Sequence, residues 1–175
     1  RRGYPPTMSA VDSALSTYLN DHYAAAVAAT ELTRRMAAAR RDAADAAEFA
    51  ALADGAAEHL RALRAVLSEL DIPVRRYKAT AAWAGEKLGR LKLNGRLLSG
   101  SPSSPVVELD GLAMLLTARA AVWRALLAVA RHDGRLDERE LIEAVGRAEN
   151  QAESVRVLHT RYAEAGFAPA HARRR

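Results

Sequence analysis

Trp83–Leu112, WAGEKLGRLKLNGRLLSGSPSSPVVELDGL, is the one long stretch of this 175-residue chain where alanine-rich helical periodicity lapses. Apolar residues recur at helical spacing on both sides of it, so it divides two helical halves, and its path decides how they fit together. Within it, LKL-NG-RLL over 91–98 fits two local structures. Apolar alternation around Asn94-Gly95 is the pattern of a two-residue β-hairpin. Asn-Gly is also a common left-handed ending for a helix. The helical surroundings favour the helix end. Ser99–Pro105 is a loop.

Upstream, Tyr77, Ala81, Ala84, Leu88 and Leu91 keep helical spacing and predict a short helix over 74–92, inside a crossover spanning 72–104. Before it, Phe49, Leu52, Ala56, Leu60, Leu63, Leu67 and Leu70 form one stripe, on a helix predicted over 43–71. Pro73 ends that helix by disfavouring helical geometry in Ile72. A first helix over 9–40 carries Val11, Leu15, Tyr18, His22, Ala25, Ala29, Leu32 and Met36 on one face, with Ser9 and Asp12 as a capping box. At about 100° per residue these two stripes lie roughly half a turn apart, so a single helix would leave one uncovered. A break near Arg40–Asp45, capped by Asp42 or Asp45, resolves the conflict and makes an antiparallel hairpin.

Downstream, Ser104-Pro105 predicts a helix over 105–132 with Leu109, Leu112, Leu115, Leu116, Val122, Trp123 and Leu126 on its apolar face. Asp133-Gly134 turns the chain. Asp137 as cap, Glu140 as its box partner and Leu136 stapled to Leu141 start a last helix over 137–166. Residues 1–8 and the basic tail 168–175 are expected to be disordered.

The composition agrees with an all-α fold: there are 40 alanines, the best helix former and a poor strand former. The length is that of one domain with a real core. The absence of cysteine excludes disulfides and thiolate metal sites and fits a reducing compartment. No uninterrupted apolar run approaches the roughly 18 residues of a membrane span, and RRGYPPT lacks a signal-peptide core. A soluble, cytoplasmic protein is the expectation, and position 1, an arginine, suggests a trimmed or mis-started chain. The net charge of +5 is concentrated in the crossover: Arg75, Arg76, Lys78, Lys87, Arg90, Lys92 and Arg96 oppose only Glu86.

Two helical hairpins joined by one long connection make an antiparallel four-helix bundle with a single crossover, the ferritin-like arrangement. The segment KLGRLKLNGRLLSGSPSSPVVELDGL also resembles one in actinobacterial proteins of the ferritin-like superfamily. The sharp likeness covers about 30 residues. That resemblance implies a di-metal carboxylate centre, with a glutamate from each of two helices and Glu-x-x-His from each of the other two. The chain departs from this pattern: it offers Glu58-x-x-Arg61, Glu149-x-x-Ala152 and Glu153-x-x-Arg156, and no Glu-x-x-His. An arginine donates only and cannot ligate a cation. The expectation is an inherited fold without the metal.

Polar residues on the inward faces are the candidate site. Counting residues from each hairpin turn puts His22 and His59 at one level, and Arg119 and Glu149 at another close by, near the middle of the bundle. This predicts an Arg119–Glu149 ion pair with the two histidines alongside. A second pair, Glu108 with His159, is predicted nearer one end. Ordinary satisfied core groups are the plainest account of these residues, since buried ion pairs seldom carry chemistry. A small-ligand pocket is the next. An iron or manganese site on His22, His59 and Glu149 is disfavoured by the neighbouring arginine. The seven basic residues of the crossover, interleaved with Trp83 and Tyr77, are candidates for binding an anionic surface or nucleic acid. A solvated basic face is the simpler account.

Serine–histidine chemistry, phosphate loops and glycosidase carboxylate pairs have no recognisable arrangement here. The sequence therefore points to a non-catalytic structural, interaction or small-ligand-binding bundle, self-associating as a homo-oligomer. The alternatives are a divergent di-metal oxidoreductase and an anionic-surface or nucleic-acid binder.

Overall fold

The computed structural model describes residues 10–75 and 104–167. Among the described residues there are four helices and no strand: α1 (Ala10–Ala39), α2 (Ala46–Glu69), α3 (Ser104–Ala130) and α4 (Glu138–Phe167). The terminal segments 1–8 and 168–175, and the choice at 91–98, lie outside the described residues, as does nearly all of the expected helix over 74–92. Val74 and Arg75, at its expected start, are not helical.

The turn between α1 and α2 contains neither glycine nor proline, and it closes through Arg40. Successive tight turns run from Arg40 N to Ala37 O, Ala43 N to Arg40 O and Ala46 N to Ala43 O. The Arg40 guanidinium lies over the Phe49 ring at 4.4 Å, donates to Glu108 Oε2 at 3.1 Å and reaches the Tyr162 hydroxyl at 3.3 Å. A single side chain thus ties the turn to α2, α3 and α4. Asp45 occupies the cap position without a side-chain cap bond, its carboxylate instead accepting from Tyr162 Oη at 2.8 Å.

The end of α2 is a Schellman turn. Ile72 N–H donates to Leu67 O and Asp71 N–H to Ser68 O, with Asp71 in the left-handed region at φ 55°. The helix therefore stops at Glu69, before Pro73 acts. Buried Asn20 of α1 receives the departing chain: its Oδ1 accepts from Arg75 N at 2.7 Å and its Nδ2 donates to Pro73 O at 3.3 Å. At the start of α4, Asp137 caps as its sequence context predicts, Oδ1 accepting from the backbone N–H of Arg139 and Glu140. Leu136 and Leu141 are both buried beneath it.

Two apolar clusters show how the helices run. One joins Leu19 of α1 with Leu63 and Leu67 of α2, Trp123 and Leu126 of α3, and Leu141 and Ala144 of α4. The other joins Leu32 and Met36 with Phe49 and Leu52, Leu109 and Leu112, and Val155 and Leu158. The late part of α2 thus meets the late part of α3, so these two helices run the same way, with α1 and α4 opposed to them. By length and composition α3 is apolar enough to cross a membrane. A search for uninterrupted apolar runs misses this, because Arg119 and Arg124 break the run. In the bundle α3 supplies core residues to both clusters, Trp123 and Leu109 among them.

Packing is uneven. α3 lies closely on α4 and α1 on α2, α1 also meets α3, while α2 and α4 touch only thinly. A cleft of about 550 Å³ opens between α2 and α4. It leads inward to the polar layer that separates the two apolar clusters.

Candidate functional site

Arg119 stands at the middle of α3, where helical spacing puts it on the buried side with Leu116 and Val122. It is only 6% exposed. Nη1 donates to the α2 carbonyl of Gly55 at 3.1 Å and to Gln151 Oε1 of α4. The Gln151 amide in turn donates through Nε2 to Leu52 O at 2.9 Å. Gly55 makes this possible: a Cβ there would meet Gln151 Nε2 at 2.5 Å. The missing side chain of Gly55 is the space the Gln151 amide occupies.

Among the described residues Arg119 has no carboxylate within ion-pair distance. The glutamate that influences it most, Glu58, pairs with Arg147 at 3.1 Å. Burial pushes the Arg119 pKa down to about 10, with Glu58 opposing the shift and Arg147 adding to it. The guanidinium remains charged at neutral pH, and neutral oxygens hold it. Its Nε is buried and has no partner among the described residues.

His59 of α2 packs edge-on to Trp123, ring centroids 5.2 Å apart. It is 5% exposed, and its Nδ1 is buried with no partner among the described residues. Burial, then the positive charges of Arg119 and His22, lower its pKa from 6.5 to about 3, so the imidazole is neutral at ordinary pH. His22 of α1 is half-buried, and burial lowers its pKa against the pull of Asp21. His22, Thr33, His59, Arg119 and Gln151 bound a small, partly open chamber of about 20 Å³ whose remaining wall is alanine and leucine. Arg119 and Gln151 line both this chamber and the α2–α4 cleft.

The structure brings together three of the four residues expected at the centre, His22, His59 and Arg119, and corrects the fourth. Glu149 is exposed and pairs with Arg124 on the surface. Counting from the turn had set its height correctly but not the direction it faces. Gln151, three residues after buried Ala148 and four before buried Val155, takes its place, and that spacing was the available signal. The expected Glu108–His159 pair does not form either. Glu108 turns to Arg40, while His159 Nε2 meets Asp110 Oδ1 at 2.8 Å on the half-exposed side of α3. Arg40, placed in no site by its sequence context, carries more contacts than either. Of the seven basic crossover candidates Arg75 is described and exposed. Arg76, Lys78, Lys87, Arg90, Lys92 and Arg96 lie outside the described residues.

The di-metal centre implied by the ferritin-like resemblance does not fit this donor set. Among the described residues no three histidines, aspartates or glutamates are grouped to hold a metal ion. Where such a centre would sit, two imidazoles face a guanidinium whose charge repels a dication. No family model, curated protein or solved structure matches the chain.

Proposed function

We propose that this chain is a non-catalytic, ligand-binding helical bundle of ferritin-like connectivity, which takes a small molecule bearing a carboxylate or similar anionic group into the cleft between α2 and α4. The observation that carries this is Arg119, a buried guanidinium at the inner end of an open cleft with no carboxylate of the described residues against it. A buried charge without a partner is costly, and an anionic ligand would supply that partner. The acidic groups on the cleft are otherwise engaged, Glu48 with Arg161, Glu58 with Arg147 and Glu153 with Arg156. Ala51, Leu52, Val157 and Leu158 suit an apolar body behind the anionic head. A chain that leaves α2 at one end of the bundle and enters α3 at the other supports the single long crossover of ferritin-like proteins.

The test is thermal denaturation and equilibrium binding with a panel of short aliphatic and aromatic monocarboxylates beside their uncharged amides. Saturable stabilisation by acids alone, lost in Arg119→Met, is expected. A panel without a saturable response defeats the proposal. The methionine variant should fold, since replacing buried ionic groups by apolar ones of similar volume is often neutral or stabilising. The expectation of self-association draws support from exposed Met114 and Ile142, at 68% and 57%. A monomer by light scattering would remove it.

A further inference from the structure

The outward face of α3 differs from the charged outward face of its neighbour. Between 110 and 128 its exposed positions hold alanine, Met114 and Thr117, and Asp110 and Arg124 are the only charged residues on them. The exposed positions of α4 are mostly glutamate and arginine. Met114 is 68% exposed, and the Thr117 hydroxyl is spent on Ala113 O at 3.0 Å, so the α3 face offers water little to bind. Asp110, Met114, Thr117, Ala121, Arg124 and Ala128 recur at alternating spacings of four and three, the seam pattern of a helix that packs against another helix. None of these residues lines the α2–α4 cleft.

The two charges indicate what covers the seam. Asp110 and Arg124 lie seven residues on either side of Thr117. A twofold axis at Thr117 sets a second α3 antiparallel to the first, with the same patch on both sides. Asp110 then meets the partner subunit's Arg124, and the reciprocal pair forms across the axis, while Met114 lies against the partner subunit's Ala121. A parallel second α3 in the same register would oppose like charges instead. Asp110 uses Oδ1 for His159 and Arg124 uses Nη2 for Glu149, yet the side chains remain 54% and 58% exposed, so each can add a bond across the axis. The alanines let the two helix axes approach to the near end of the usual ~8–10 Å. Although α3 is apolar enough for a bilayer, a bilayer would have to desolvate both of these pairs, whereas a second copy completes them.

We propose that the outward face of α3 is the interface of an antiparallel twofold homodimer centred on Thr117 and closed by two Asp110–Arg124 pairs between subunits. This rests on the self-association expected above, to which it gives a surface and a register. It is independent of Arg119 and the cleft ligand.

The experiment uses the full chain, which has no cysteine of its own. Sedimentation velocity over a range of concentrations should show the parent as a dimer. Asp110→Arg and Arg124→Asp each set like charges across the axis and should each weaken dimerisation about a hundredfold at low salt. Mixing the two variants restores both pairs in one heterodimer, so a dimer should return. Each variant should keep its helical circular dichroism, because the intramolecular pair it breaks is exposed and worth little. Thr117→Cys, on the axis, should oxidise to a disulfide-linked dimer, and Val27→Cys, at an exposed position of α1, should not. A parent dimer indifferent to both charge variants, or a mixture of the two that stays monomeric, overturns this interface and leaves self-association standing. A parent that is monomeric throughout overturns both, and its sedimentation with neutral phospholipid vesicles would give the face to a bilayer instead.

Discussion

Acidification should weaken this fold through one buried imidazole. His59 is 5% exposed, and its folded pKa falls from 6.5 to about 3 through burial and the nearby charges of Arg119 and His22. In the unfolded chain the same group titrates near 6.5. Between these values the unfolded chain binds a proton that the folded chain refuses, so stability falls as pH falls. Above 6.5 both states are neutral at this position and His59 adds no pH dependence. The slope within the window approaches about 1.4 kcal/mol per pH unit. Carried down to about pH 4.5, it costs about 2.5 kcal/mol, or roughly 5–10 °C in melting temperature for a chain of this size. His22, also lowered, acts in the same direction and more weakly, being half-buried. Asp133, whose carboxyl is held down by hydrogen bonds from Arg135, loses its contribution only in the lower carboxylate range. Urea unfolding followed by circular dichroism at several pH values, on the parent and on His59→Leu, isolates the term. The parent should lose about 2.5 kcal/mol between neutral and about pH 4.5, and the variant a small part of that whatever its absolute stability. Parallel stability–pH curves for the two proteins would refute the assignment of a refused proton to His59.

Gly55→Ala should be net destabilising by about 1 kcal/mol despite the better helix propensity of alanine, because the new methyl displaces Gln151 from Arg119. Pairing it with Gln151→Ala in a double-mutant cycle should recover most of that loss. Asp71→Gly should stabilise by about 0.5 kcal/mol in chemical denaturation, by relieving a left-handed residue at φ 55°. Arg40→Ala should cost about 2 kcal/mol in thermal unfolding, because the stacking on Phe49 and the bond to Glu108 go together. Glu108→Gln should cost well under half as much, its side chain being 41% exposed.

The centre of the bundle was legible in height and not in azimuth. Periodicity along α1, α2 and α3 singled out His22, His59 and Arg119 as inward-facing, and they do meet. Choosing Glu149 as the partner of Arg119 assumed that opposite charges at one level must pair. At the surface, solvent and Arg124 offered Glu149 a position without the desolvation cost. The amide of Gln151 could be half-buried because its donor and its acceptor both find partners, Leu52 O and Arg119. The same logic explains Arg40. A turn without glycine or proline carries no backbone signal, and what closes it is one side chain reaching residues up to 122 positions away.

Local chemistry along the chain sufficed for the all-helical class and for the Asp137 cap, and the opposed phase of two long apolar stripes sufficed for the break between α1 and α2. Tertiary structure alone decided the thin contact that opens the α2–α4 cleft and the partners of Arg119, Glu108 and His159. Those outcomes rest on which face of one helix meets which face of another. That is set by the competition of every buried side chain for a limited interior, and no spacing within a single helix encodes it.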